Sequence, residues 1–177
     1  IGDSITQGWE GSGKGTWEKY YANRKALNLG ISGDRTEHVI WRLDNGNLRN
    51  QKKAKAAVVM IGTNNTGHVM QDPTEVRDGV ERIVSTLRAR CPEAKILLLG
   101  VFPRGVKPDD AKRKNNIEIN KLISKFHNGE RIHYLDISMT ILTTASILTK
   151  DVMPDALRAI KKGYEIWAEA IEPKLKE

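Results

Sequence analysis

The residues of this chain with the chemistry to act on a ligand gather in four short segments. Gly2-Asp3-Ser4-Ile5-Thr6-Gln7-Gly8 sets a hydroxyl beside a carboxyl, and Asn28-Leu29-Gly30-Ile31-Ser32-Gly33-Asp34 is rich in turn formers. Gly62-Thr63-Asn64-Asn65 offers neutral amides, and Asp151-Val152-Met153-Pro154-Asp155-Ala156-Leu157-Arg158 offers carboxylates and a guanidinium. A serine hydroxyl is a poor nucleophile until a base removes its proton and fixed donors meet the developing oxyanion. Singly, each residue also has a plainer reading: Ser4 caps a helix, Gly33 serves a turn, Asn64 satisfies loop backbone. The histidines are His38, His68, His127 and His133, and the one cysteine, Cys91, excludes an intrachain disulfide and a cysteine-built zinc site.

The elements that must hold these segments alternate strand with helix. Strands are expected at Lys25–Leu29, Ala56–Ile61, Ile96–Val101 and Ile132–Leu135. The run Ala56–Ile61 is continuously apolar and ends in Gly62, the mark of a strand buried on both faces. Val39, Ile40 and Leu43 sit at helical spacing. Asp72-Pro73-Thr74 starts a helix whose Val76, Val80, Ile83, Val84 and Leu87 share one face. Further helices carry Ile119, Leu122, Ile123 and Phe126, and then Tyr164, Trp167, Ile171 and Leu175. Such alternation predicts a parallel sheet covered on both faces, with functional loops beyond the carboxyl ends of its strands.

Composition narrows the field. A chain of 177 residues is one domain's length, and 39% hydrophobic with 29% charged residues is the balance of a folded protein. The net charge of +7 comes from basic residues spread along the chain with no interleaved aromatics, so it reads as a solvated surface and not as a nucleic-acid site. No run approaches the roughly 20 apolar residues of a membrane span. No basic-then-apolar leader opens the chain, which leaves a cytoplasmic protein and one secreted after signal removal both open. Gly8-Trp9-Glu10-Gly11-Ser12-Gly13-Lys14-Gly15 nearly matches a P-loop, but Gly15 stands where a magnesium-binding hydroxyl belongs, so a loop at a site rim is the better account. Asp34, Asp109 and Asp110 lack partner carboxylates at ligand spacing, so no metal site is expected. Most of the tryptophans read as core or helix-face packing, and only Trp9, beside the Ser4 loop, is a candidate substrate contact.

Taken together and in order, the four segments resemble the GDSL (SGNH) hydrolase family across nearly the whole chain, most like its small bacterial esterases and the platelet-activating-factor acetylhydrolase catalytic subunits. The resemblance implies an α/β fold, a three-layer α/β/α sandwich on a flavodoxin-like parallel sheet. Residues 1–177 would be one such domain, with its first strand nearly absent before Gly2. It implies hydrolysis of short acyl esters, acetyl above all, without metal or organic cofactor. The partner would be a small-molecule ester; oligomeric state is not legible. By the same resemblance Ser4 corresponds to the nucleophile, and the backbone N–H of Ser4, the backbone N–H of Gly33 and the Asn64 amide correspond to the oxyanion hole.

The last block departs from the family. Its pattern is Asp-x-x-His, with the histidine as base; here Asp155 matches the Asp and Arg158 stands at the histidine position. Arginine stays protonated to above pH ~12 and cannot accept the serine proton, and an Arg158–Asp155 ion pair is expected instead. Losing a triad member commonly costs roughly four to six orders of magnitude in turnover. His68, after Asn64, is the best-placed substitute base, while His38 is expected to cap or pack. The alternative to an impaired esterase is a catalytically silent protein that binds an acidic or acylated ligand through Arg158.

Overall fold

The computed structural model describes residues 1–143 and 145–176. Three parallel strands, β1 (Ala56–Val59), β2 (Lys95–Leu99) and β3 (Ile132–Leu135), lie in the order β1-β2-β3. Ala57 pairs with Ile96, and Ile96 in turn with Ile132. Beyond β1 the order continues through single parallel bridges, Met60 to Gly2 and Gly2 to Gly30. Gly30, Gly2, β1, β2 and β3 therefore succeed one another in the 2-1-3-4-5 order of a flavodoxin-like sheet.

Alternation along the strands sorts side chains into two cores. Val59, Ile61, Ile96 and Leu98 face one way, onto α3 (Thr36–Arg42), α5 (Pro73–Arg90) and α6 (Ala111–Ile123). Met60, Leu97 and Leu99 face the other way, onto α1 (Ser4–Gln7), α7 (Ser138–Ile141) and α8 (Lys161–Lys176), with α2 (Lys14–Tyr20) packed on α8. That is the three-layer α/β/α sandwich, and a period of two in the strands produces it. The start of α5 is as its sequence predicts: Asp72 caps it by accepting the Thr74 N–H, with Pro73 in its first turn. No helix among the described residues is long and apolar enough to cross a membrane.

One expected strand does not form. Ala22–Arg24 is a 3-10 turn, Lys25 has φ +54°, and only Gly30 joins the sheet. A strand exists by its ladder of partners, and here Gly2 alone offers one. Asn28 holds the segment instead: its side chain accepts the Gly30 N–H (2.9 Å) and donates to the Thr6 carbonyl (3.1 Å). Trp9 also differs from expectation. It is buried against Trp17, Tyr21, Tyr164 and Trp167, with ring centroids 4.6–6.1 Å apart, and is a core residue, not a ligand contact.

Candidate active site

Ser4 is the first residue of α1, and the preceding Asp3 caps that helix, its Oδ1 accepting the Ile5 N–H at 2.9 Å. Asp3 is buried and its Oδ2 has no hydrogen-bond partner. Burial pushes this carboxyl up to about 7, a backbone hydrogen bond from Ile5 opposing. α1 is also tied across the fold: the buried Tyr164 hydroxyl donates to the Ile5 carbonyl at 2.7 Å.

Asn64 lies one residue into α4 (Thr63–Val69), a helix that starts where Gly62 (φ +131°) leaves the extended backbone after β1. Its buried amide donates to the Asp34 carbonyl at 2.9 Å. An amide carries two N–H donors, so one remains for a ligand. The neighbouring Asn65 grips the start of α3, accepting the Thr36 N–H (3.2 Å) and donating to the Thr36 hydroxyl (3.0 Å). Gly33 has φ +82° with open space where a side chain would project, which suits a backbone that must approach a ligand. Asp34 pairs with Arg42 at 2.6 Å, both side chains nearly buried, so the loop carrying Gly33 is anchored on both sides of that ion pair.

A cavity of about 770 Å³ opens beside Ser4. Its wall includes Gln7, Glu10, Ser12 and Ser32 on one side and Asp155, Arg158 and Tyr164 on another. Gln7 accepts the Ser32 N–H (3.0 Å), fastening the Gly33 loop to the Ser4 helix. Asp155 Oδ1 accepts the backbone N–H groups of Leu157 (3.1 Å) and Arg158 (2.7 Å), and its Oδ2 takes the Arg158 Nε at 2.7 Å. Burial acts to raise this carboxyl, but the hydrogen bonds from Arg158 and Leu157 and the Arg158 charge together outweigh it and hold it below the ordinary carboxylate range.

A family model described as GDSL-like lipase/acylhydrolase matches residues 1–166. The chain belongs to that family. The human platelet-activating factor acetylhydrolase IB subunit alpha1 is 35% identical over 165 residues, 93% of this chain and 68% of that protein. The alpha2 subunit from Rattus norvegicus is 38% identical over 149 residues, 84% of this chain and 63% of that protein. Among solved structures, a GDSL-like lipase from Bacteroides thetaiotaomicron superposes with TM-score 0.76 at 16% identity, over 99% of this chain and 85% of that one. A carbohydrate acetylesterase from Sinorhizobium meliloti gives TM-score 0.71 at 18% identity, over 99% and 96%. The GDSL-like family is one of carboxylic ester hydrolases, and the neighbours share this fold.

Within this GDSL-like chain, Ser4, Asp155 and Arg158 line one cavity, which Ser32 joins from the Gly33 loop. Asn64 and Gly33 are joined through Asp34, whose carbonyl accepts the Asn64 amide and which follows Gly33 in the chain. His68 is on α4, not on a loop; it is exposed and outside the cavity wall. His38 accepts the Arg35 N–H at 3.0 Å, the capping role its position predicts. His127 accepts the Tyr134 N–H, far along the chain from the site. Glu10 and Ser12, within the glycine-rich segment, do reach the cavity. Reading the sequence for family motifs missed the roles of Gln7, Arg42 and Tyr164, because each acts through a partner outside its own segment. Among the described residues, no three His, Cys, Asp or Glu side chains gather as a metal site.

Proposed function

We propose that this family member is a serine carboxylester hydrolase for short-chain acyl esters, acetyl above all, whose turnover is depressed by Arg158. One observation carries the reading: Ser4 and Asp155, from opposite ends of the chain, face one cavity. Ser4 Oγ attacks the ester carbonyl carbon, and the negative charge on the carbonyl oxygen is met by the Ser4 N–H, the Gly33 N–H and the free N–H of the Asn64 amide. The alcohol leaves as the ester C–O bond breaks, and water then releases the acyl group from Ser4. The proton of Ser4 is the difficulty. Among the residues lining the cavity there is no histidine, Arg158 is a donor only, and both Asp155 oxygens already accept hydrogen bonds.

Hydrolysis of p-nitrophenyl acetate by the chain, by Arg158→His and by Arg158→His with Ser4→Ala tests this. The chain alone should run near background, Arg158→His should raise turnover by roughly three orders of magnitude or more, and Ser4→Ala should abolish the gain. No gain from Arg158→His rejects the assignment of Asp155 and position 158 to a triad. The second reading, a silent binder of an acidic or acylated ligand, draws on the exposed guanidinium of Arg158, which spends only its Nε on Asp155. Calorimetric titration with acetate and with a short acyl phosphate tests it, and Arg158→Ala should remove the binding.

A further inference from the structure

Seven residues are too few for α4 to hold itself in water, and Gly67 in its interior weakens it further. Its orientation, and with it that of Asn64, must come from what packs on it. On one side stands the Asp34–Thr36 segment already described. On the other stands Arg104, which follows β2 through Gly100-Val101-Phe102-Pro103 at the carboxyl end of the sheet. Its Nη1 donates to the carbonyl of Thr63 at 2.9 Å and to the Thr63 hydroxyl at 3.3 Å, and Thr63 is the residue immediately before Asn64.

One turn along the same helix, the guanidinium covers Gly67. A methyl group there would overlap its Nη1, Cζ and Nη2 at once, so the flat face of the cation lies on the bare backbone. This accounts for a glycine that helix propensity disfavours. Arg104 is half-buried and does not line the cavity beside Ser4. Burial lowers the pKa of this guanidinium, and the carboxylates of Asp3, Asp110 and Asp155 oppose that shift.

We infer that Arg104 is a positioning residue for Asn64, and that Gly67 is the seat its guanidinium requires. The inference rests on the proposed reading only where Asn64 is taken as an oxyanion donor. Arg104 fixes the first turn of α4 from the β2 side while Asp34 takes one amide hydrogen of Asn64 from the other. The second amide hydrogen then points one way without reorganisation. Lysine cannot replace it fully, because an ammonium on a flexible stem has neither the planar face for Gly67 nor the fork.

The test follows the Asn64 side-chain amide by nitrogen-15 NMR in the full chain, with thermal unfolding beside it, for Arg104→Met, Arg104→Lys, Gly67→Ala and the Gly67→Ala/Arg104→Met pair. Arg104→Met and Gly67→Ala should each move the Asn64 amide resonance and speed its exchange with water about tenfold, with Arg104→Lys between them and the native chain. Gly67→Ala should lower Tm although alanine is the better helix former, and the pair should be no worse than Arg104→Met alone. An Asn64 amide unchanged in Arg104→Met, or effects of Gly67→Ala and Arg104→Met that simply add, overturns the inference. In the Arg158→His background, Arg104→Met should lower kcat about tenfold or more with KM within twofold. A displaced amide with unchanged kcat leaves Arg104 as the positioner and removes Asn64 from the oxyanion hole, so the two readings fail separately.

Discussion

The Nε of Arg158 lies 2.7 Å from Oδ2 of Asp155, and the backbone N–H of the same arginine donates to Oδ1. One residue thus takes both oxygens of the carboxylate proposed above as the triad's acid. The side chains are 64% and 37% exposed, and an exposed pair of this kind contributes about 0–1 kcal/mol. Arg158→Ala and Arg158→His should therefore change unfolding free energy in urea by no more than about 1 kcal/mol. A larger loss would mean that the arginine is kept for the fold.

Tyr164 links α8 to the Ser4 helix through its hydrogen bond to the Ile5 carbonyl. Tyr164→Phe leaves that buried carbonyl short of a donor and should destabilise by about 1–3 kcal/mol. The glycine-rich segment is fitted to the same ring: a methyl group at Gly8 would overlap the Tyr164 hydroxyl, and one at Gly13 would overlap both Tyr164 and Trp9. Gly8→Ala should destabilise in wild type and less so in Tyr164→Phe, where the hydroxyl is gone. A double-mutant cycle by thermal unfolding reads this directly.

The Asp34–Arg42 pair is the buried counterpart of the exposed one, with side chains 11% and 10% exposed. Removing one partner strands the other charge, so Arg42→Met should cost about 3–5 kcal/mol. The change should be visible at the Asn64 amide, which donates to the Asp34 carbonyl. A loss under about 1 kcal/mol would show that the loop tolerates a free carboxylate there.

Asp3 gives the fold a pH dependence. Burial raises its carboxyl from 3.8 to about 7, so the folded chain binds this proton more tightly than the unfolded chain does. Its stabilising contribution is complete below about pH 4 and is lost as pH rises through about 7. The discriminating quantity is Asp3→Asn minus wild type. That difference in Tm should grow in favour of Asp3→Asn from pH 4 to 8, whereas parallel curves would show that Asp3 does not titrate there.

Trp9 supplies a contrast between nearness in sequence and in space. It is buried at 4% exposure among Trp17, Tyr21, Tyr164 and Trp167, so Trp9→Ala should cost about 3–5 kcal/mol. Trp9→Phe, which keeps part of the ring packing, should leave ester KM unchanged.

The sequence by itself determined the layers and the loops. The continuous apolar runs at Ala56–Ile61 and Ile96–Val101 and the 3.6-residue period in Pro73–Arg90 are local signals, and they predict buried strands and an amphipathic helix whatever the tertiary context. The order of the four polar segments carried the family, and the chemistry of arginine sufficed to predict its pairing with Asp155. What the sequence left open depended on partners far along the chain. Lys25–Leu29 has the composition of a strand, but a ladder needs a neighbour, and only Gly30 finds one, at Gly2. Trp9 stands next to the Ser4 segment in sequence yet points into the core, because Tyr164 and Trp167, over 150 residues later, close around it. Tertiary structure alone put Ser4 and Asp155 on one cavity and left His68 outside it. It also explained Gly67, a residue that local propensity disfavours and the guanidinium of Arg104 requires.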